Sequence, residues 1–433
     1  MIANQPAETF CIIGAGAAGL AVAKAFKTAG LTFEVLESAS GIGGIWDASR
    51  ADSPVSRNTH VIASKSVQAY PDFPMPASYP DYPNHSLVLD YLRDYAHSAG
   101  ILPHMRFNTS VLQVEPAGPR WRVRVEGGPE REYAGVVLAS GHDRTPRIPE
   151  FPGQHSIEVL HSKSYKSPAQ LMNKRVLVVG AGQSAADILC ESAMNAARTF
   201  HSTRRGFFCM PKYLMGRPTD TMLQAKAPSF LRRLSYYLFF RFLWRRSRGL
   251  GMPVPVMKQD LVIPVLGDQL HHHYTHGDIV HKGNVRRLEG DRVYFDDGTD
   301  EQIDVVFLAT GYLPSYPYID RKHLNWAEGD NRPSLFMHIF PPEADNLFVV
   351  GMVRPVGSHW DVYEYQGRLI AAYLRARQQA PDRARRLDDL RRSRGPQSDF
   401  RAGIRFYNPA DYPLVVEKQE YVNHVKGHLR KLG

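Results

Sequence analysis

Residues 9–46 read TFCIIGAGAAGLAVAKAFKTAGLTFEVLESASGIGGIW, and the rest of the chain is organised around them. A short apolar run, Phe10-Cys11-Ile12-Ile13, meets Gly14-Ala15-Gly16-Ala17-Ala18-Gly19, and an Ala-rich stretch with helical spacing follows. A second apolar run, Phe33 to Leu36, ends in Glu37. This is G-x-G-x-x-G in the setting that gives it meaning: strand before, helix after, acid about 20 residues on. Gly14 is expected to make the tight turn, Gly16 to let the backbone approach a pyrophosphate, and Gly19 to let the helix pack closely on the strand. The helix N-terminus then offers unpaired N–H groups and a partial positive charge to phosphates. Glu37 is placed to accept hydrogen bonds from a ribose. A little further on, glycines in Gly41-Ile42-Gly43-Gly44-Ile45-Trp46 let a loop lie against a flat ligand, with Gly44, Ile45 and Trp46 at that face.

A second signature begins at Arg175: RVLVVGAGQSAADILCESA. A strand over Val176–Val179 leads to Gly180-Ala181-Gly182-Gln183-Ser184-Ala185 and a helix to about Ala196, with Ala185 standing where the third glycine belongs. The next strand, Ala197–His201, does not end in an acid but in Ser202-Thr203-Arg204-Arg205-Gly206. Two guanidiniums therefore occupy the place where a carboxylate would meet a ribose 2′-hydroxyl. A planar fork of donors suits a 2′-phosphate, so the second nucleotide is expected to be NADPH rather than NADH. One tightly held nucleotide with a redox ring plus NADPH means hydride transfer, and the natural pair is FAD and NADPH.

With 433 residues the chain exceeds a single core and suggests roughly two or three domains. The sequence shows no run of about 18 uncharged apolar residues, the length a transmembrane helix needs. No basic region followed by an apolar stretch precedes the first strand, so no export signal is expected and a cytoplasmic location is. The 3 cysteines, Cys11, Cys190 and Cys209, form no C-x-x-C pair. That argues for a reducing compartment and against a flavin enzyme that reduces disulfides. A net charge of +10 raises nucleic acid as a partner, but the basic residues are scattered and no nucleic-acid module is visible.

Between the glycine motifs, Ser64 to Pro83 (SKSVQAYPDFPMPASYPDYP) is too rich in proline for a long helix or central strand. It is expected to be an ordered loop over the ligand site. Helical spacing runs from His85 to His97, two strands span Val111–Glu115 and Trp121–Glu126, and Gly135–Gly141 reads as a buried strand with a small-residue turn. Ser229 to Arg248 (SFLRRLSYYLFFRFLWRRSR) is basic and aromatic. It suits either an amphipathic helix on a membrane surface or a helical lid or plain insert, and charges recurring on the would-be apolar face favour the latter. His271-His272-His273 with His276 lacks a nearby carboxylate or cysteine to complete a metal set and reads as a polar turn. Val293–Phe295, Asp297-Gly298 and Asp304–Leu308 are expected to form a hairpin whose last strand leads into Ala309-Thr310-Gly311-Tyr312, in parallel with Ala139-Ser140-Gly141. After a strand over Leu347–Val350, a loop Arg354–Asp361 and a helix Tyr363–Arg377 should add the last wall to the first nucleotide's site. Ala380–Gly395 alternates Arg and Asp as a solvated helix does.

Taken together, GAGAAG (14–19), Glu37 with Gly43-Gly44-x-Trp46, SK and YPDFP (64–74), LASGH (138–142), GAGQSA (180–185), STRRG (202–206) and LATGY (308–312) resemble the flavin-containing monooxygenases over nearly the whole chain. The resemblance implies an α/β fold with two Rossmann-like dinucleotide-binding domains, the NADPH domain inserted into the FAD domain. The expected partition is 1–168 and 279–433 for the FAD domain and 169–278 for the NADPH domain, with a helical insert around 213–260. It also implies a cycle. NADPH reduces FAD, NADP⁺ stays bound, and O₂ forms a C4a-hydroperoxyflavin that oxygenates a soft nucleophile, an amine nitrogen or a sulfide, of a small molecule. Such a site must exclude water, and the loop 64–83 and segment 213–260 are the candidate shields. Thr310 and Gly311 join the cofactor-binding set, and a homodimer is the expected assembly.

Two departures from the family pattern stand out. Of the linker F-x-G-x-x-x-H-x-x-x-Y, His161 and Tyr165 remain, while His155 and Ile157 replace Phe and Gly. Tyr165 rather than Trp favours heteroatom oxygenation over Baeyer–Villiger chemistry. The family's Asn three residues before the Lys of the SK pair is Ile62 here. Support for the oxygenating state then falls to Ser64, Lys65, His142 or retained NADP⁺, the alternative being an NADPH oxidase that releases H₂O₂. A non-catalytic, membrane-associated or nucleotide-sensing flavoprotein is the reading from a different class.

Overall fold

Ten parallel strands carry the fold, five in each of two sheets. The computed structural model describes residues 8–223, 229–255, 264–355, 357–394, 400 and 414–433. Residues 1–7, residues 224–228 and 256–260 of the expected insert, and Gly395 lie outside them. The first sheet runs, edge to edge, Leu347–Val349, Gly135–Leu138, Phe10–Ile13, Phe33–Leu36, Met105–Arg106. The second runs Glu158–His161, Val305–Leu308, Arg175–Val179, Arg198–Ser202, Ile279–Lys282. The order corresponds strand for strand, with each glycine loop leaving the central strand. Phe10–Ile13, Gly135–Leu138 and Val305–Leu308 are buried along their whole length. A parallel strand covered on both faces can be apolar at every position.

Each unit also carries a three-stranded antiparallel sheet just before its matching strand. Val111–Ala117, Arg120–Val125 and Arg131–Tyr133 precede Gly135–Leu138; Val285–Glu289, Arg292–Phe295 and Asp300–Gln302 precede Val305–Leu308. The expected hairpin is corrected here. Asp297-Gly298 turns Arg292–Phe295 onto Asp300–Gln302, while Val305–Leu308 pairs in parallel with Arg175–Val179 inside the second sheet. The strand partition also differs from the expected 169–278. Glu158–His161, Ile279–Lys282 and Val305–Leu308 all belong to the second sheet, where the all-apolar Val305–Leu308 is buried along its length between Arg175–Val179 and the edge strand Glu158–His161. The two connections between the units run side by side, with Thr145–Pro146 pairing antiparallel to Tyr312–Leu313.

Helix Ala17–Thr28 packs on helix Trp360–Gln379, and Gly367 makes the approach close: a Cβ there would lie 3.0 Å from the Val22 Cα. Tyr70, Tyr91, Tyr95 and Trp360 stack beside this pair, with Tyr70 and Tyr95 centroids 3.9 Å apart. The Tyr70 hydroxyl donates to the Ala17 carbonyl at 2.6 Å, so the proline-rich loop is fastened to the first turn of the first helix.

Two more expectations need correction. His271–His273 lie in a helix, Gln269–Thr275, because Leu270 and Tyr274 at i and i+4 turn to the core. His271 Nε2 is 3.1 Å from Ser247 Oγ, and His273 Nδ1 is 2.8 Å from Asp278. The helix Pro381–Arg394 is not solvated throughout. Arg391 is buried and donates to the Pro341 and Ala344 carbonyls and to Asp345.

Candidate functional site

Five glycines at the two loops divide into those the fold requires and those it does not. Gly14 has φ +110°, and a Cβ there would lie 2.7 Å from the Ala139 carbonyl oxygen. Gly180 has φ +133°, with the Ala309 oxygen 2.2 Å away. Both are compelled by the turn and by the neighbouring strand end. Gly19 is compelled too, since its Cβ would meet the Gly14 oxygen at 1.8 Å. Gly16 and Gly182 are different. Each caps its helix with ordinary extended backbone, φ −81° and −99°. A Cβ on Gly16 would make normal contact at 3.5 Å with Gly44, and one on Gly182 would meet nothing within 4 Å. Glycine at these two places answers to something outside the polypeptide. Neither cap supplies a side-chain acceptor, so the first N–H groups of helices Ala17–Thr28 and Gln183–Asn195 lack the usual side-chain partner. A diphosphate lying across each N-terminus satisfies both observations. The residues present therefore fit two dinucleotides.

Around the first loop, Gly44 crosses over Gly16 and Gly43 donates its N–H to the Ala15 carbonyl at 3.2 Å. Ile45 is exposed at this face and Trp46 half-buried. Ala17 and Ala18 form the first turn of the helix, and Gly351 (φ +90°) closes over them with its Cβ position 3.4 Å from the Ala18 Cβ. Glu37 is buried, and its carboxylate accepts from the Ala15 N–H at 2.7 Å, the Ala39 N–H at 2.8 Å and Arg50 at 2.9 Å. It clamps the glycine loop to the second strand. Among the described residues Oε2 takes only the Ala15 bond, which leaves it a further lone pair. Arg50, which no sequence signal marked, neutralises it.

At the second loop, Gln183 is a structural peg: its amide donates to the Leu266 carbonyl at 3.0 Å and accepts from the Leu266 N–H at 3.0 Å. Ser184 is exposed and Ala185 buried. Arg204 and Arg205 both stand exposed beyond the strand end Ser202. Beneath the loop lies His201, fully buried, with Nε2 donating to the Gly180 carbonyl at 2.6 Å and Nδ1 accepting from the Tyr274 hydroxyl. Burial drives its pKa down to about 3, so it is a neutral support for the turn. Thr310 donates to the Arg147 carbonyl, and the Gly311 oxygen accepts from the Arg147 N–H at 2.9 Å and from His161 Nε2 at 3.0 Å. This pair thus ties the second unit to the crossover strand. The Tyr165 hydroxyl donates to Glu191 on the second glycine helix.

The candidate catalytic side chains come from two elements, Ser64 and Lys65 from the proline-rich loop and His142 from the end of strand Gly135–Leu138. Ser64 is buried with its hydroxyl 3.2 Å from Ser66 Oγ, and Lys65 donates to the Ala77 and Tyr79 carbonyls within its own loop. Lys65 holds the loop's shape. His142 has Nδ1 donating to the Gly351 carbonyl at 2.9 Å and Nε2 3.7 Å from Asp143. Burial lowers its pKa against the opposing pull of Asp143, and Arg354 pairs with Asp143 at 3.1 Å. Ile62 is 41% exposed, an apolar side chain at an open face two residues before Ser64.

Asp220 is the functional candidate that sequence reading passed over. It is buried, its Oδ2 accepts from the Ser64 N–H at 2.6 Å, and its Oδ1 is buried without a partner among the described residues. Alongside, the Tyr82 hydroxyl donates to the Lys212 carbonyl at 2.7 Å and the Tyr213 hydroxyl to Asp81 at 2.7 Å. These three bonds clasp the segment that follows strand Arg198–Ser202 in the second nucleotide unit onto the 61–83 loop of the first. A signal for Asp220 did exist. It is the one acid among nine basic residues between Lys212 and Arg248.

A family model described as flavin-binding monooxygenase-like matches residues 7–419. Among sequence relatives, the dimethylaniline monooxygenase (N-oxide-forming) 2 of Oryctolagus cuniculus is 31% identical over 389 residues, covering 84% of this chain and 72% of its own length. Flavin-containing monooxygenase 5 of Rattus norvegicus is 28% identical over 416 residues, covering 89% and 77%. Among solved structures, S-allyl-L-cysteine S-oxygenase from Allium sativum aligns with TM-score 0.67 at 22% identity over 98% of this chain and 88% of its own. Cyclohexanone monooxygenase bound to epsilon-caprolactone aligns with TM-score 0.69 at 15% identity over 98% and 97%. These structural likenesses show a shared fold.

Proposed function

Because the chain belongs to the flavin-binding monooxygenase-like family and is an FAD- and NADPH-dependent monooxygenase, we propose that it oxygenates a soft nucleophilic heteroatom, an amine nitrogen or sulfide sulfur, of a small molecule. The observation that carries this reading is the pair of glycines, Gly16 and Gly182, that the fold does not need, at two uncapped helix N-termini. The choice of heteroatom is supported by the names of the nearer sequence relatives, which include N-oxide-forming enzymes, and by Tyr165 in the linker. When bound, the flavin supplies the redox ring through which electrons from NADPH and an oxygen atom of O₂ reach the substrate.

Each part of the chain then has a physical task. The N-terminus of Ala17–Thr28 and the Gly44 crossing hold the FAD diphosphate, and Glu37, with its charge balanced by Arg50, receives the ribose. The N-terminus of Gln183–Asn195 holds the NADPH diphosphate, with Arg204 and Arg205 on its 2′-phosphate. Bidentate guanidinium contact with phosphate is both strong and selective. The Ser64–Asp220, Tyr82–Lys212 and Tyr213–Asp81 bonds keep the loop 61–83 against the segment 210–223, and so keep water from the reacting atoms. Neutral His142, with Nδ1 committed to Gly351, leaves Nε2 to take or give a proton beside the first site. The test is incubation with NADPH, O₂ and either a tertiary amine or a dialkyl sulfide, reading N-oxide or S-oxide by mass spectrometry and H₂O₂ alongside. Heteroatom oxide in clear excess over H₂O₂ is the expected result. H₂O₂ matching NADPH consumption with every substrate would reject oxygen insertion.

A further inference from the structure

Two neighbouring strands of the first sheet, Gly135–Leu138 and Leu347–Val349, end side by side beneath a group of polar side chains. That edge of a parallel sheet is where an α/β fold meets its ligand. His142 and Asp143 follow the first strand, Arg354 follows the second, and His359 and Tyr363 come from the N-terminus of helix Trp360–Gln379. The group adjoins the first dinucleotide site. The Tyr363 ring lies against Gly351, its Cε1 3.8 Å from the Cβ position there, and Gly351 closes over Ala18. The His359 and Tyr363 ring centroids are 6.2 Å apart.

Arg354 is held in place here without being used up. Its N–H donates to the Leu414 carbonyl at 2.7 Å, and Arg354–Pro355 pairs in parallel with Val415–Val416, so its backbone is fixed. Its guanidinium is 48% exposed and meets Asp143 through Nη2 alone, 3.1 Å from Oδ1. An ion pair this open to water contributes little to stability. The rest of the planar fork has no hydrogen-bond partner among the described residues. Nearby charge is otherwise cancelled. Burial lowers the pKa of His142 and drives that of His359 down to about 3, so both rings are neutral near neutral pH. Lys418 pairs with Asp361 at 2.8 Å. A guanidinium with an open edge beside neutral rings is a bidentate receptor for a carboxylate. The dinucleotide phosphates are met by the two helix N-termini and by Arg204 and Arg205, so the anion left for Arg354 is one that the substrate brings.

We propose, on the reading that the enzyme oxygenates a heteroatom, that its substrate is an amine or sulfide bearing a carboxylate, and that Arg354 receives this carboxylate and sets the preference for it.

The test compares two sulfides of one size, β-methylthiopropionate and its amide, on the full-length, flavin-loaded enzyme at saturating NADPH, with S-oxide read by mass spectrometry. Wild type should favour the acid in kcat/KM by roughly tenfold to a hundredfold. Arg354→Gln should collapse that ratio, chiefly by raising KM for the acid. Arg354→Lys should restore part of it, since the charge remains and the fork is lost. Both variants should keep bound flavin, wild-type melting temperature and, by calorimetry, wild-type affinity for NADP⁺. Equal use of acid and amide by wild type, or a ratio that Arg354→Gln leaves in place, would overturn the proposal and leave heteroatom oxygenation standing. So would an Arg354→Gln protein that loses flavin or NADP⁺ affinity, because the guanidinium would then serve a nucleotide phosphate. No S-oxide from either sulfide, with NADPH consumed to H₂O₂, would remove the reaction itself and the proposal with it.

Discussion

Replacing Gly182 with alanine separates what the second glycine loop does for the fold from what it does for its ligand. The backbone there is extended and a Cβ finds nothing within 4 Å. Alanine at a helix N-cap costs a little, and the lower entropy of the unfolded chain returns a similar amount, so stability should move by less than about 1 kcal/mol. The ligand feels much more. A methyl carbon keeps an oxygen at about 3.5 Å, where a phosphate needs about 2.9 Å from the N–H groups. Displacing it weakens two charge-assisted hydrogen bonds of about 1.5–3 kcal/mol each. A loss near 3 kcal/mol is roughly a hundredfold in affinity. Calorimetric titration with NADP⁺ reads this without turnover, and flavin fluorescence during a melt reads stability. Gly180→Ala is the contrast. Positive φ and an oxygen 2.2 Å from the new Cβ should cost about 3 kcal/mol or more in stability. If Gly182→Ala bound NADP⁺ as wild type does, or melted with Gly180→Ala, the reasoning from dispensable glycines would be wrong.

Other outcomes follow from the same geometry. Gly19→Ala should yield little folded protein and no bound flavin, since its Cβ would sit 1.8 Å from the Gly14 oxygen; a yellow, stable variant would remove that contact from the account. Arg204→Ala with Arg205→Ala should lower kcat/KM for NADPH by about tenfold to a hundredfold while leaving NADH use unchanged, and an equal loss with both would refute the 2′-phosphate assignment. Asp220→Ala should open the clasp on Ser64 and raise the H₂O₂ share of NADPH consumed, while Asp220→Asn, which still accepts that N–H, should raise it less; unchanged coupling in both would release Asp220 from this role. The acid limb of stability offers a fourth check. His201 and His359 have folded pKa values pushed down to about 3 by burial, from 6.5. Each therefore contributes fully above pH 6.5 and loses about 1.4 kcal/mol per pH unit as pH falls from there toward 3. Urea midpoints between about pH 7 and pH 5 should fall less in His201→Gln than in wild type, and parallel curves would exclude His201 as a contributor.

Sequence alone located both glycine loops, because strand, turn and helix there are local and each glycine has a local task. It also anticipated the two sheet-end turns, Ala139-Ser140-Gly141 and Ala309-Thr310-Gly311, which lie where each loop's first glycine needs a bare carbonyl beside it. What it missed lies across long separations. Ser64 and Asp220 are 156 residues apart, and Gly351 reaches Ala18 from the far end of the chain. Polar spelling misled at His271–His273, where Leu270 and Tyr274 decide the conformation. It misled again at Arg391, which looks solvated in an Arg/Asp run yet is buried on two carbonyls. Asp297-Gly298 is a true turn, but the strand it serves ends at Gln302 and the next apolar run joins another sheet. A turn signal fixes where the chain reverses and leaves open how many strands follow.

The central claim is that this chain uses NADPH to place one atom of O₂ on a small-molecule heteroatom. Turnover of a tertiary amine under isotopically labelled dioxygen, followed by mass spectrometry, tests it most directly. The account predicts an N-oxide carrying a single labelled oxygen, formed only when NADPH is present. Unlabelled product, or no product with NADPH consumed entirely to labelled H₂O₂, would contradict it.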